Sequence, residues 1–501
     1  MDQTTHSLSL AWRRAWTMPD IAGRPALVDA NGSLSYSQLH DRARRFAGGL
    51  QALGVRRGDL VGLDLERSID AVVAMLGCIG AGACPCPMEP RLMPEQTEER
   101  ARSVGLRWLL ADATRQPGLA HVLGTPGHVL TTRQVEDQHD DYWDEAEAGD
   151  SPALLLFTSG STGKPKGVLL THRNILNNAH GVARHTALTM RDRLLHVMPL
   201  HHTNAVNNQL FTPFLHGAAV ILAARFKADD MPGLLDAHRP TIITGVPTMY
   251  ARMLELPFSA ASLAALRFAR CGSAPITIDL HRRIEAKLAC ELLVSYGLSE
   301  ATCTSTMNPV GRRRIGTVGT VLDGQTVILL GADGQAVPAG QEGEICIGGD
   351  SVMAGYLGAD PQAADRAIQA GLLHTGDLGR FDDVGYLAIT GRIKEVIIRG
   401  GENLSPALIE NAIASHPDVA ACCVVGQADD DLGEVPVAFV VAAPQRQPSE
   451  QAIVETVAAR LARIYRPQAV HFVTALPENS IGKVDRKAVT AMLKQQQPAT
   501  V

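Results

Sequence analysis

Residues 153–167 read Ala-Leu-Leu-Leu-Phe-Thr-Ser-Gly-Ser-Thr-Gly-Lys-Pro-Lys-Gly. The run Ala153 to Phe157 is short and wholly apolar, the pattern of a strand buried on both faces. In the stretch that follows, Thr158 to Gly167, the glycines at 160, 163 and 167 let the backbone bend and turn its N–H groups outward. Thr158, Ser159, Ser161 and Thr162 add four hydroxyls, and Lys164 and Lys166 add two charges. Such a loop suits a polyphosphate, with N–H and O–H donors for its oxygens and lysines for its charge. It is not a Walker A loop, because Lys164 is followed by Pro165 where that motif requires Ser or Thr. A flexible polar turn does not account for this density of glycine, hydroxyl and lysine directly after a strand.

Outward from this stretch, strand and helix patterns alternate. Ser37 to Leu53 reads as a helix with Ser37 at its N-cap, Leu60 to Leu65 as a strand, Ser68 to Cys78 as a helix and Arg107 to Ala111 as a strand. This alternation predicts an α/β fold with largely parallel sheets. The acidic stretch Glu136 to Asp150 reads as a solvated linker between subdomains. A second change of character comes near Gly391, where Arg392-Ile-Lys-Glu-Val-Ile-Ile-Arg-Gly-Gly401 precedes Ser405-Pro406, a helix start. A helix to about Ser415, strands at Val419–Val425 and Val435–Val441, a helix from about Ser449 to Ile464 and a loop carrying Lys483 then make up a small α+β unit. The expected division is a large N-terminal domain of parallel or mixed sheets with helices over 1–391, a hinge over 392–396, and a small mobile α+β C-terminal domain over 397–501.

The 501 residues are 46% hydrophobic and 20% charged, an ordinary globular balance. A net charge of −6 gives no basic face for nucleic acid. The 9 cysteines are scattered without CxxC spacing, which argues against zinc and fits reduced thiols in a cytoplasmic protein. The apolar runs are too short for a membrane span, and Arg13 and Arg14 interrupt the one candidate leader, Leu8 to Trp16. Its Trp12 and Trp16 are expected to dock a helix onto its own domain.

With these features in hand, the chain resembles the adenylate-forming superfamily of acyl-CoA synthetases, peptide-synthetase adenylation domains and luciferases. The resemblance extends over nearly the whole chain. Thr158 to Gly167 is similar to the family's phosphate loop, which implies nucleotide contacts from Thr158, Ser159, Gly160, Ser161, Thr162, Gly163 and Lys164. Ser295-Tyr-Gly-Leu-Ser-Glu-Ala301 resembles the segment in which, here, Tyr296 and Gly297 meet adenine, Ser299 contacts the α-phosphate and Glu300 holds Mg²⁺. The family more often has Thr at position 299; Ser keeps the hydroxyl. Gly272-Ser273-Ala274-Pro275 resembles the adenine-pocket segment. Asp377, in Leu373-His-Thr-Gly-Asp-Leu378, resembles the carboxylate that accepts from the ribose hydroxyls, and Arg392 the cation that meets ribose and phosphate from the far side. Lys394 matches the hinge. Pro477-Glu-Asn-Ser-Ile-Gly-Lys-Val-Asp-Arg486 resembles the loop that delivers a catalytic lysine, Lys483.

The implied reaction uses ATP and Mg²⁺ to turn a carboxylic acid into its acyl-adenylate with loss of pyrophosphate. A thiol then takes the acyl group. The carboxylate is itself the nucleophile, in keeping with the absence of G-x-S-x-G and H-E-x-x-H motifs. The resemblance further implies that the small domain rotates about Lys394 between the steps and presents Arg399-Gly-Gly-Glu-Asn403, where Gly400 and Gly401 leave room for a pantetheine arm. The thiol is coenzyme A or the phosphopantetheine of an acyl carrier protein. A non-catalytic nucleotide and acid sensor is the reading from another class. Met198-Pro-Leu-His-His-Thr-Asn204 resembles the segment bordering the acyl pocket, with His202 in the family's His position, counted among the catalytic groups, and His201 in place of an aromatic. Amino-acid adenylation domains carry Asp at the His202 position, so an α-amino acid is not expected. His201, Asn204, Asn207, Val246, Cys271, Thr302 and Cys303 are expected to line the pocket and to favour a short, medium or mildly polar acid. No nucleic-acid partner is expected, and the chain is expected to be a monomer or homodimer.

Overall fold

Parallel strands need crossover helices to return the chain, and both faces of the resulting sheet become buried. The computed structural model, which describes residues 6–90, 92–124, 128–138, 140–146, 148–159, 165–358, 367–478 and 483–496, follows this rule through its large domain. Six parallel strands form the centre of a nine-stranded sheet: Glu291–Tyr296, Phe268–Cys271, Ile242–Gly245, Arg193–His196, Ala219–Leu222 and Pro25–Val28, in that spatial order. Antiparallel strands close both edges. A second parallel sheet orders Cys84–Pro87, Leu60–Asp64, Trp108–Ala111 and Val129–Leu130. Pro152–Ser159 does not join either parallel sheet. It pairs antiparallel with Pro165–Thr171, so the two ends of the predicted phosphate loop lie on neighbouring strands, and residues 160–164 fall outside the described residues. A five-stranded antiparallel sheet that includes Glu342–Gly348, Leu372–Phe381 and Leu387–Arg392 completes the large domain.

Several local expectations shift in position. The helix expected from Ser37 has its N-cap two residues earlier: it spans Tyr36–Ala52, with Ser35 as N-cap and Gln38 closing a capping box. The next helix, Ile69–Gly80, is capped by Ser68. The acidic stretch is not a solvated linker. Trp143 is buried and its Nε1 donates to the Ser9 carbonyl at 3.0 Å, and Asp144 is buried beside Arg57. Carboxylate count misled there because the one indole in the stretch outweighs its neighbours in buried area.

The helix Leu8–Trp16 docks on its own domain, as its tryptophans suggested. Trp12 and Trp16 stack with centroids 5.5 Å apart, both fully buried, and Trp16 Nε1 donates to the Phe214 carbonyl at 2.8 Å. The nine cysteines are all free. Among the described residues, no helix is long and apolar enough to cross a membrane.

In the small domain, Gly433–Ala442 pairs with Val419–Asp429, with Ile397–Arg399 and with Ala469–Phe472. Helices Pro406–Ala414, Glu450–Ala458 and Arg486–Gln496 complete the unit. Ser405 does precede Pro406 at the N-cap, yet its hydroxyl makes no cap bond; it donates instead to the Thr390 carbonyl of the large domain's last strand.

Trp16→Ala removes a fully buried indole and its hydrogen bond. It is expected to destabilise the large domain by ~3–5 kcal/mol, read as a shift of the urea midpoint followed by circular dichroism. A loss below about 1 kcal/mol would mean that the helix is not part of the core.

Candidate active site

In an open parallel sheet, ligands gather beyond the carboxyl ends of the strands, where loops diverge. The strands Phe268–Cys271 and Glu291–Tyr296 end side by side, with Cys271 in register with Val294. Their loops carry two of the predicted segments. Gly272 lies so close to Ser295 that a Cβ there would come within 2.9 Å of its Oγ, and Ser273 takes a left-handed backbone with φ 68°. At Gly297 a Cβ would fall 2.1 Å from the Cys303 carbonyl oxygen. That glycine is required by close packing of two loops, not only by approach of a ligand. Ala274 is half-buried and Pro275 exposed on the same loop.

Tyr296, Asp377 and Arg392 form one network. The Tyr296 hydroxyl donates to Asp377 Oδ2 at 2.8 Å, and Arg392 Nε donates to Asp377 Oδ1 at 2.5 Å. Backbone register explains the second contact, because Asp377 and Arg392 are paired residues of adjacent antiparallel strands. A carboxylate oxygen accepts more than one bond, so Asp377 retains acceptor capacity for a diol.

Ser299 and Glu300 open a single helical turn after Tyr296. Ser299 Oγ lies 2.6 Å from Thr203 Oγ1, which ties this turn to the His201–Asn204 segment. Glu300 Oε1 accepts from the Tyr356 hydroxyl at 2.8 Å, and Lys166 lies over the Tyr356 ring at 5.1 Å. Glu300 Oε2 makes no hydrogen bond among the described residues. A carboxylate with one oxygen fixed and one open, beside a lysine of the predicted phosphate loop, fits a Mg²⁺–polyphosphate site. Tyr356 was not among the predicted residues; a tyrosine in an ordinary strand pattern gives no local signal. Gly160, Ser161, Thr162, Gly163 and Lys164 lie outside the described residues. Thr158 and Ser159 end the first strand of their hairpin.

On the acyl side, Asn204–Phe211 forms a π-helix, a rare form that often marks functional sites. Asn207 Nδ2 donates to the Thr302 carbonyl at 2.8 Å, and Asn208 Nδ2 lies 3.1 Å from Cys303 Sγ and 2.9 Å from Thr304 Oγ1. Asn204 Oδ1 is 3.4 Å from Asn208 Nδ2. Thr302 and Cys303 hold positive φ angles of 62° and 117°, unusual for residues with a Cβ and costly unless the surroundings impose them. The Thr302 hydroxyl is turned away, donating to the Ser351 carbonyl at 2.5 Å. Val246 and Cys271 pack with Met249 and Tyr250 in an apolar cluster. By strand alternation, Cys271 faces away from its neighbour Arg270.

Lys483 reaches this region from the small domain. Burial lowers its pKa first, the charge of Arg392 lowers it further, and Cys303 opposes both. His202 feels the same ammonium: burial, then His201, then Lys483 push its pKa down to about 3. His201, its ring tilted 50° against His202 with centroids 4.3 Å apart, is pushed down to about 4, chiefly by burial. The pair is therefore neutral at ordinary pH. Arg252 Nη2 and Glu478 Oε2, 2.7 Å apart, fasten the lysine loop to the large domain. Arg486 bridges Glu395 at 3.1 Å and Glu410 at 2.7 Å, on either side of the junction.

Lys394 lies exposed in the turn Ile393–Glu395 between the last large-domain strand and the first small-domain strand. Gly400 and Gly401, at φ 58° and 85°, form the two-residue tip of the hairpin Ile397–Arg399/Glu402–Leu404. The tip is held within its own domain. Gly400 N donates to the Leu432 carbonyl at 2.7 Å, and Arg399 to the Ile464 carbonyl at 2.6 Å. This domain orientation thus brings Lys483, not the glycine pair, to His202 and Cys303.

Residues 16–357 match the model of the AMP-binding enzyme family, and residues 408–483 match that of the AMP-binding enzyme C-terminal domain. The chain is 33% identical over 497 residues to a sulfoacetate–CoA ligase from Cupriavidus necator, covering 94% of this chain and 95% of the relative. It is 34% identical over 470 residues to a feruloyl-CoA synthase from an Amycolatopsis species, covering 90% and 92%. Its fold superimposes on ATP-bound MatB from Rhodopseudomonas palustris with a TM-score of 0.90 at 29% identity, covering 97% of this chain and 99% of that one. The chain belongs to the AMP-binding enzyme family, in the branch of AMP-forming acid–thiol ligases.

The neutral buried histidines set the acid limit of stability. His172 and His216 are pushed to about 4 by burial, alongside His201 and His202. In the unfolded chain each titrates near 6.5, so between about 6.5 and 4 the unfolded state binds more protons and stability falls as pH falls. Thermal melts are expected to drop progressively from pH 6.5 to 4. A flat profile across that window would refute the burial of these rings.

Proposed function

We propose that the protein activates a small carboxylic acid with ATP as an acyl-adenylate, releases pyrophosphate, and then transfers the acyl group to coenzyme A. The observation that carries this reading is the position of Lys483: an ammonium from the small domain within electrostatic reach of His202, Cys303 and Arg392.

An ammonium there can bridge the attacking carboxylate and the α-phosphate, drawing two anions together. The Thr158–Lys164 loop and Lys166 answer the polyphosphate. Asp377 and Arg392 hold the ribose, and Tyr296 and the Gly272–Pro275 segment bound the base. Glu300 would hold Mg²⁺, which when bound neutralises phosphate charge as pyrophosphate departs. Ser299, through Thr203, keeps the acyl-side and phosphate-side loops in one frame. His202, neutral and half-enclosed, borders the reacting carboxylate without adding charge.

We place the domain limits at 1–391, 392–396 and 397–501, a division that strand pairing supports. Arg392 is the last residue in register with the large-domain sheet, and Ile397–Arg399 pairs into the small-domain sheet. Residues 393–396 therefore can absorb a rotation that withdraws Lys483 and brings Gly400 and Gly401 to the adenylate for thiol entry.

Lys483→Ala is expected to slow adenylation by at least about 100-fold, measured by acid-dependent pyrophosphate release, while leaving thiol transfer from preformed acyl-adenylate within about threefold of wild type. Equal loss in both half-reactions would overturn the assignment. Supplying free coenzyme A should release AMP at the full rate; turnover only with an acyl carrier protein would reassign the acceptor. No acid-dependent pyrophosphate release from any acid would leave the sensor reading standing.

A further inference from the structure

Arg270 is 4% exposed on the strand Phe268–Cys271, and no carboxylate pairs with its guanidinium among the described residues. None of the hydrogen bonds among the described residues comes from that guanidinium either. A buried cation left in this condition is costly, since burial removes its hydration and nothing in the protein replaces it. Arg67, near the same sheet end, contrasts with it: both of its terminal nitrogens are engaged, donating to the Met198 and His196 carbonyls and contacting the His196 ring, and only Nε is left without a partner.

The surroundings of Arg270 identify the space it addresses. In register it lies between Thr244 and Leu293 of the flanking strands. Strand alternation puts it on the face of Phe268, away from the apolar cluster that takes Cys271 and Val246. The Cys303 thiol feels the charges of both Arg270 and Lys483. Cys303 is in the left-handed loop that the π-helix contacts through Asn208. Nearby, His202 Nε2, Asn207 Oδ1 and Asn208 Oδ1 are buried and make no hydrogen bond with the described residues. The acyl side therefore combines a buried, unpaired guanidinium with unanswered polar atoms on the segment that holds Thr302 and Cys303.

The nucleotide does not explain Arg270. Its phosphates are answered by Lys166, Arg392 and Lys483, and Arg270 shares no contact with Glu300, Asp377 or Arg392. Resting on the adenylating function proposed above, we propose that the acid carries a second anionic group at its far end, a carboxylate or a sulfonate, and that Arg270 binds it. One carboxylate faces Lys483 and reacts; the other anion forms a charge-assisted, two-pronged hydrogen bond with the guanidinium. Neutral acids of the same length leave the guanidinium buried and unpaired, and are rejected for that reason.

The test compares acids with and without a second anion, scored by pyrophosphate release with coenzyme A. Malonate, succinate and sulfoacetate form one set; propionate and butyrate, matched in length to malonate and succinate, form the other. The dianions are expected to exceed the monoanions in kcat/KM by roughly 100-fold or more, and malonate against sulfoacetate reports which anion the pocket prefers. Arg270→Met should abolish most of that advantage through the KM of the dianion, raise kcat/KM for the monoanions, and leave the KM for ATP in place. Arg270→Lys, which keeps the charge but not the fork, should retain part of the dianion preference. Removing an unpaired buried charge should also raise the melting temperature of the ligand-free R270M protein by a few degrees. Monoanions preferred by the wild type, an R270M variant equally impaired on both sets, a changed KM for ATP alone, or a lowered melting temperature would each overturn the role of Arg270. Absence of pyrophosphate release with every acid in both sets would instead bring down the adenylating reading, and this inference with it.

Discussion

The site is organised around gathered positive charge. Lys483 is partly enclosed, and after burial the like charge of Arg392 lowers its pKa further. His202, which feels that ammonium, is held neutral. Arg392 is paired with Asp377, whereas Arg270 is buried with no carboxylate against it among the described residues. A buried guanidinium in that condition stores an unfavourable field that an anionic ligand would relieve. Stability is given up locally so that binding and charge movement gain.

That field can exist only because the rest of the fold holds it in place. The parallel sheet fixes Cys271 beside Val294, which sets the two loops carrying Gly272 and Tyr296 against each other. The packing of Gly297 on the Cys303 carbonyl, the Ser299–Thr203 contact and the Asn207–Thr302 bond then lock the acyl-side and nucleotide-side loops together. The left-handed backbones at Ser273, Thr302 and Cys303 are imposed by this locking. Each is a local cost that pre-orients groups for reaction rather than for folding.

The small domain adds an element that must both engage and let go. Among the described residues its attachment includes the polar contacts Arg252–Glu478 and Ser405–Thr390, while its apolar clusters are made of small-domain residues. Polar contacts at a partly solvated junction contribute little net stability, so exchanging one set for another is inexpensive. The covalent path between the two sheets is only residues 393–396, short enough to act as a pivot.

The proposed phosphate loop, the Tyr296–Glu300 segment, Asp377, Arg392 and Lys483 stood out as candidates in the sequence because each sits in a dense local pattern whose residue types suggest a chemistry. The alternating elements were legible for the same reason: periodicity is a property of neighbours in the chain. The capping of the first long helix by Ser35 and the burial of Trp143 were not, since caps compete over a residue or two and one indole can anchor an acidic stretch. Gly400 and Gly401 read as space for a thiol arm, and the fold reveals that they also satisfy a two-residue hairpin turn. Arg270 carried no signal at all. An arginine in the string Phe-Ala-Arg-Cys is unremarkable until the sheet buries it, because whether a charge is paired depends on strands far apart in sequence. The chain alone thus determined the fold class and put forward the candidate groups through short-range pattern, while the tertiary structure decided which candidates meet and that Arg270 stands unpaired among the described residues, since that is set by long-range packing.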